Sequence, residues 1–186
     1  MPTSAAAEHL FYEALRRMGE GDLAAAEAGF RQALQAAPEL AEAHANLGFL
    51  FDSQGRRAEA EASYRQALAL SPGQVQTHIN LGALLESAQR FGEAEAAYRT
   101  ALTLDPASPA AWSNLGVLLT CMHREKSAED CLRTALELAP DHRRAAFNLA
   151  HLLLRQGRYG EGWHYMEARD WYEQIQRHLG IPRWQG

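Results

Sequence analysis

Small and apolar residues recur along this chain at helical spacing, and the whole arrangement repeats after 34 residues. In residues 41–74 these positions are Leu47, Gly48, Phe51, Ala60, Tyr64, Ala67 and Pro72. Two further copies follow, Leu81, Gly82, Leu85, Ala94, Tyr98, Ala101 and Pro106, then Leu115, Gly116, Leu119, Ala128, Leu132, Ala135 and Pro140. Spacings of three and four residues place apolar side chains on one helix face, and proline ends a helix because it lacks the backbone N–H. The pattern predicts an all-α chain of helical hairpins.

The period divides the chain into helix-turn-helix units. The predicted divisions are a tail at 1–6, repeats at 7–40, 41–74, 75–108 and 109–142, a helix of a degenerate fifth repeat at 143–158, an aromatic-rich capping helix at 159–180, and an end or linker at 181–186. In such an array each unit packs only on its neighbours. The sequence therefore predicts a one-dimensional stack without a single central core.

Glycine marks the turn inside three of the predicted hairpins, at Gly21, Gly55 and Gly157. Glycine leaves a helix through the left-handed conformation without a steric penalty. Gln89 and His123 stand at the same place in the third and fourth repeats. We expect those two turns to end differently.

The order and spacing of these positions resemble the tetratricopeptide repeat (TPR) family over nearly the whole chain. The resemblance implies a TPR-type α-solenoid of about five repeats with a C-terminal capping helix, in which Ala60, Ala94 and Ala128 face Gly48, Gly82 and Gly116. The first motif residue in this family is usually tryptophan, which only Trp112 keeps, whereas His44 and His78 replace it. Two histidines one repeat apart suggest a metal site, but no further ligand is placed nearby. We expect both to be packed residues and predict no bound metal.

Asparagine recurs just before the leucine of four successive first helices, at Asn46, Asn80, Asn114 and Asn148. Asparagine is a poor helix former, and its amide can pair with both the N–H and the C=O of a peptide. The resemblance places this position on the concave face, and the ladder is similar to that of the TPR superhelix of O-linked N-acetylglucosamine transferases. The predicted peptide-binding set also includes Phe49, Val117 and His151. The alternative is that the asparagines tie neighbouring helices together.

Aromatic residues concentrate at the C-terminal end, where three of the four tryptophans lie. The predicted set is Trp163, Tyr165, Trp171, Tyr172 and Trp184. One interpretation is a cap over the last repeat, and the other is an interface with another domain or a second copy, because interface cores favour such residues. The run from Gly162 to Gly186 is also similar to the junction between bacterial TPR arrays and a glycosyltransferase domain. That resemblance implies the acceptor-presenting N-terminal part of a larger bacterial glycosyltransferase.

Composition and motifs narrow the function. A net charge of -5 argues against nucleic acid and anionic membranes as partners, and the absence of a secretory signal or apolar span favours a cytoplasmic protein. Cys121 and Cys131 lack the spacing of a zinc site, and no catalytic motif is present. The predicted function is a noncatalytic interaction module, without cofactor, that binds an extended polypeptide in its concave groove. The alternative is self-association through the aromatic helix.

Overall fold

A computed structural model describes residues 4–167, and these residues form α-helices joined by short turns. The helices are α1 (Ser4–Gly19), α2 (Leu23–Ala36), α3 (Ala41–Ser53), α4 (Arg57–Leu70), α5 (Val75–Ser87), α6 (Phe91–Leu104), α7 (Pro109–Cys121), α8 (Glu125–Leu138), α9 (Arg143–Arg155) and α10 (Tyr159–Glu167). None of these described helices has the length and apolar character needed to cross a bilayer. The predicted all-α class is confirmed.

The chain divides into two compact units, Met1–Leu104 and Asp105–Gly186. In the first unit the hairpins α1–α2, α3–α4 and α5–α6 pack in chain order, with α2 against α3 and α4 against α5. In the second unit the hairpin α7–α8 packs on α9–α10 through α8 and α9. Each unit is therefore a short stack of helical hairpins, as the TPR-type pattern predicts.

The second helix of each of the first four hairpins buries three residues at the same register. Each set has an alanine, a large residue four positions later and another alanine three positions after that, and every member is fully buried. The sets are Ala26, Phe30 and Ala33; Ala60, Tyr64 and Ala67; Ala94, Tyr98 and Ala101; and Ala128, Leu132 and Ala135. Spacings of four and three keep these side chains on one helix face, so they form the core of each hairpin.

Glycine in the first helix of a hairpin makes room for the large residue of the second helix. A Cβ atom added to Gly48 would lie 2.6 Å from Cδ1 of Tyr64, and one added to Gly82 would lie 2.6 Å from Cε1 of Tyr98. At Gly116 the nearest neighbour is the Leu132 side chain, at 2.7 Å. The family resemblance places Ala60, Ala94 and Ala128 opposite these glycines. The nearest side chains are instead those of Tyr64, Tyr98 and Leu132, four positions later.

The turns at Gln89 and His123 have the same geometry as the glycine turns, so the expectation that they end differently is wrong. Their φ angles are 59° and 57°, in the left-handed region that Gly55 adopts at 75°. The N–H of Gln89 donates to the carbonyl of Glu86 at 2.9 Å, and that of Arg90 donates to the carbonyl of Leu85 at 2.9 Å. Hydrogen bonds of this kind satisfy the last carbonyl groups of a helix. They also hold a residue other than glycine in the left-handed conformation that glycine favours.

We expect Gln89→Gly to stabilise the protein by about 0.5–1 kcal/mol, because glycine avoids the steric cost of the left-handed conformation. Urea denaturation followed by circular dichroism measures the change. Gln54→Gly, one residue before the glycine turn of the preceding hairpin, is the control because the φ of Gln54 is -91°. A loss of stability in Gln89→Gly would contradict the interpretation of this turn.

The histidines that replace tryptophan make the same hydrogen bond as the tryptophan does. Nε2 of His44 lies 2.9 Å from the carbonyl oxygen of Pro38, and Nε2 of His78 lies 2.9 Å from that of Pro72. In the second unit Nε1–H of Trp112 donates to the carbonyl of Pro106 at 2.8 Å. Both histidines are therefore packed residues that bind the turn before their helix, which accounts for them without a metal ion.

Candidate functional site

The first unit carries an open cleft of about 620 Å³ between α1, α3 and the start of α5. Three residues of the predicted peptide-binding set line it, Asn46 and Phe49 from α3 and Asn80 from α5. Sequence reasoning did not place Met18, Val75 and Thr77 there, although they also line the cleft. The repeat register shows which helix face a residue occupies, but it does not show how deep the space between two neighbouring helices is.

The two asparagines of the cleft leave different parts of their amides available. Nδ2 of Asn46 donates to the backbone carbonyl of Glu42 at 2.8 Å, and Oδ1 of Asn80 accepts from Nε2 of Gln76 at 2.8 Å. Both bonds stay within one helix, and the Asn80 side chain also interacts with the Tyr64 phenol of the neighbouring helix α4. Because an amide has an acceptor oxygen and two donor hydrogens, Asn46 keeps its acceptor for another group, and the bond to Gln76 uses only the oxygen of Asn80.

Apolar side chains also line the cleft. Phe49 is half exposed, with 50% of its surface accessible, and it shares the cleft with Met18, Ala45 and Val75. An exposed aromatic ring beside other apolar side chains offers area that a bound chain can bury. The cleft thus combines an apolar seat with amides that suit a peptide backbone.

Two equivalent tyrosines of the first unit differ in what their hydroxyls contact. Tyr64 is fully buried and its Oη has no hydrogen-bond partner, whereas the equivalent Tyr98 donates from Oη to Oε2 of Glu86 at 2.9 Å. The residue one repeat before Glu86 is Asp52, which is shorter by one methylene group. Burial raises the pKa of the Tyr64 phenol, the Asp52 carboxylate raises it further, and the Asn80 side chain only partly opposes them. Tyr64 therefore stays protonated and acts as a packing residue.

The rest of the predicted peptide-binding set lies in the second unit. Asn114 is buried and exposes only 7% of its surface, while Val117 and Asn148 are half-buried. His151 is exposed, and its ring meets that of Phe147 edge-on with centroids 4.3 Å apart. The low exposure of Asn114 leaves little of its amide for a ligand. Their part in peptide binding stays a prediction.

The predicted aromatic interface lies only partly within the described residues. Trp163 and Tyr165 are half-buried on α10, which packs on α9. A Cβ added to Gly162 would lie 2.7 Å from the Leu154 side chain, so α10 approaches α9 closely. Trp171, Tyr172 and Trp184 lie outside the described residues. Use of this set as an interface stays a prediction.

Glutamate and arginine form closed rings of ion pairs that connect the second helix of one hairpin with the turn and second helix of the next. Glu61 pairs with Arg90 at 2.8 Å and with Arg65 at 2.8 Å, and Glu93 pairs with the same two arginines at 2.7 and 3.1 Å. The second unit repeats the arrangement with Glu129, Glu161, Arg133 and Arg158. These rings join one repeat to the next.

Sequence reasoning did not identify these rings, although their signal is present in the sequence. Glutamate recurs at residues 27, 61, 95 and 129 and arginine at 56, 90, 124 and 158, both with the same 34-residue period. Burial alone would raise the pKa of Glu61, but hydrogen bonds from Arg90 and Arg65 outweigh it and hold the pKa below its usual value. The ring carboxylates therefore have a structural role as ion-pair partners of arginine. Their perturbed pKa values have this structural cause and do not mark an acid–base site.

Acidic, histidine and cysteine side chains do not gather in groups of three or more that suit a metal ion anywhere within residues 4–167. Cys121 is exposed and Cys131 is buried. Several of the predicted functional residues lie together in the cleft of the first unit.

Comparisons with solved structures agree with the hairpin fold. PilF of Pseudomonas aeruginosa is 26% identical, with 88% of this chain and 75% of that chain covered at a TM-score of 0.81. PilW, a type IV pilus biogenesis factor, is 23% identical over 95% of this chain and 79% of its own, with a TM-score of 0.80. MamA from Desulfovibrio magneticus RS-1 is 16% identical over 91% and 96%, with a TM-score of 0.79. A comparison with curated proteins found no match.

Sequence profiles described as tetratricopeptide repeat match most of the chain. One profile matches residues 6–75 and 126–177, a second matches 53–115, and a third matches 109–142. The first of these alone covers more than half of the sequence. The match extends across both compact units, and the hairpins have the predicted helix pairs. The chain therefore belongs to the tetratricopeptide repeat family.

Proposed function

We propose that the cleft of the first unit binds an extended segment of a partner protein and that the chain acts as an interaction module without chemistry of its own. The observation that carries the proposal is that Asn46, Asn80 and the exposed ring of Phe49 line the same cleft. Proteins built from tetratricopeptide repeats are in general protein-interaction modules. The cleft has the size and mixed lining of a binding site, and no cofactor is needed for this role.

The two amides suit the backbone of an extended chain. Asn46 keeps an acceptor that can bind a peptide N–H, and Asn80 has donors that can bind a peptide C=O. Packed helices lie about 8–10 Å apart, and an extended chain advances about 3.3 Å per residue. The two asparagines would therefore meet the peptide about three residues apart. This mode of recognition takes its affinity from the backbone and leaves side-chain selection to the lining of the cleft.

We expect the double variant Asn46→Ala with Asn80→Ala to weaken peptide binding about tenfold, because two hydrogen bonds of about 0.5–1.5 kcal/mol each are lost. Peptides are first selected from a displayed library of random sequences on the unaltered protein. Their dissociation constants are then measured by fluorescence anisotropy. The melting temperature should change little, since the bond of Asn46 to Glu42 and that of Asn80 to Gln76 each lie within a single helix.

The matched control is Gln66→Ala, because Gln66 is exposed on α4 and does not line the cleft. It should leave both binding and stability unchanged. Unchanged binding in the double variant would show that the cleft is not the peptide site. A large loss of stability with unchanged binding would assign the asparagines a structural role.

Two finer predictions from the sequence remain open to experiment. The resemblance to a glycosyltransferase junction depends on the run from Gly162 to Gly186, and the self-association hypothesis depends on the C-terminal aromatic residues. Residues 168–186 of this segment lie outside the described residues. The cleft itself argues for neither, since its lining residues are all in the first unit. Binding of a polypeptide in the cleft is compatible with both.

A further inference from the structure

The only charge in the lining of the cleft is negative. Glu42 is the single charged residue in its lining, and its side chain is exposed. Within residues 4–167 no arginine, lysine or histidine forms an ion pair with Glu42. The lining of the cleft therefore carries one carboxylate and no cation.

The arginines of α1 are already paired with other carboxylates. Arg16 pairs with Glu13 and Glu20, and Arg17 pairs with Glu13 at 3.0 Å. The arginines of the rings are likewise held by glutamates of the second helices. Glu42 thus differs from Glu13, Glu61 and Glu93, whose carboxylates already bind arginine, and it is available to a cation of a bound ligand.

Three side chains of α3 stand in line along the cleft. Glu42, Asn46 and Phe49 are separated by four and three residues, so they share one helix face. At about 1.5 Å per residue, Glu42 lies about 6 Å before Asn46 along the helix and Phe49 about 4.5 Å after it. The amide is therefore flanked by a carboxylate on one side and an aromatic ring on the other.

We propose, on the basis of the proposed function, that the bound segment carries a lysine or arginine directly next to a large apolar residue. A chain that crosses α3 over the Asn46 amide sends successive side chains to opposite sides. The cation then meets Glu42 and its apolar neighbour covers Phe49 and Val75. The corresponding residues around Asn80 are Gln76 and the half-buried Ala83, which are neutral and small. Within this cleft, charge selection therefore occurs at the α3 position.

The test compares peptides that differ at one position. The probe is a selected peptide with a basic–apolar pair, and in two synthetic analogues glutamine or glutamate replaces the basic residue. We expect the glutamine analogue to bind about two- to fivefold more weakly to the unaltered protein, the range of an exposed ion pair, and the glutamate analogue more weakly still. Glu42→Gln should abolish the difference between the basic and glutamine peptides, and Glu42→Lys should reverse the preference toward the glutamate peptide.

The outcomes separate this inference from the function on which it rests. If selection yields peptides without basic residues, or if the three analogues bind equally, the charge preference is overturned while cleft binding stands. If Phe49→Ala and Asn80→Ala leave binding unchanged, the cleft is not the site and both proposals fall. Raising the salt concentration should weaken the basic peptide more than the glutamine peptide, and an equal effect on both would contradict the ion pair.

Discussion

Gly82→Leu should destabilise the protein by about 1–3 kcal/mol, because the added side chain overpacks the hairpin of α5 and α6. Even the first added atom would lie 2.6 Å from Cε1 of Tyr98, which is fully buried and cannot swing into solvent. The two helices would have to separate or the tyrosine would have to leave its rotamer. Either response disturbs the core residues Ala94 and Ala101 beside it.

Gly92→Leu is the matched control, because a Cβ at Gly92 would meet nothing within 4 Å and the position is exposed at the start of α6. Leucine is a better helix former than glycine, so this variant should keep or slightly gain stability. Urea denaturation followed by circular dichroism measures both. Hydrogen exchange at the amides of α5 and α6 shows where the structure loosens. Equal effects of the two substitutions would refute close packing at Gly82.

Tyr98→Phe should cost about 1–2 kcal/mol, whereas Tyr64→Phe should be neutral or stabilising. The Tyr98 hydroxyl donates to the carboxylate of Glu86 at 2.9 Å, and a hydrogen bond to a charged group contributes more than one between neutral groups. The Tyr64 hydroxyl is buried without a partner, so removing it also removes the cost of its desolvation. The two phenylalanine variants change the same atom at equivalent positions of neighbouring repeats.

A third variant tests why the two tyrosines differ. Asp52→Glu lengthens the carboxylate at the position equivalent to Glu86 by one methylene group, and we expect it to supply the missing partner of Tyr64. In that background Tyr64→Phe should become destabilising, and a double-mutant cycle from urea denaturation gives the coupling energy. A loss of stability in Tyr64→Phe with the natural Asp52 would contradict the absence of a partner.

The hairpin pattern was readable in the sequence because a repeated unit buries the same positions each time. The 34-residue period, the small residues and the prolines predicted the helix pairs, and the buried sets around Tyr64, Tyr98 and Leu132 follow that register. The error at Gln89 and His123 arose from treating glycine as necessary for a left-handed turn. Backbone hydrogen bonds at the helix end hold a residue with a side chain there as well.

The candidate site was only partly predictable. The register placed Asn46, Phe49 and Asn80 on one face, and the structure brings these three to a single cleft in the first unit. The burial of Asn114 could not be read from its repeat position, because exposure depends on surrounding side chains as well as on helix phase. The ion-pair rings were visible as periodic charges, but only the distances between Glu61 and its arginines show that they close.

The sequence by itself determined the helical hairpins, their family and the face on which the asparagines recur, because these depend on spacing along one helix and between identical repeats. The tertiary structure decided which amide atoms stay available, which tyrosine finds a partner and where Glu42 stands without an ion pair. Those properties depend on distances of a few ångströms between side chains of different helices or successive turns. A difference as small as the methylene group between Asp52 and Glu86 changes them while the repeat pattern stays the same.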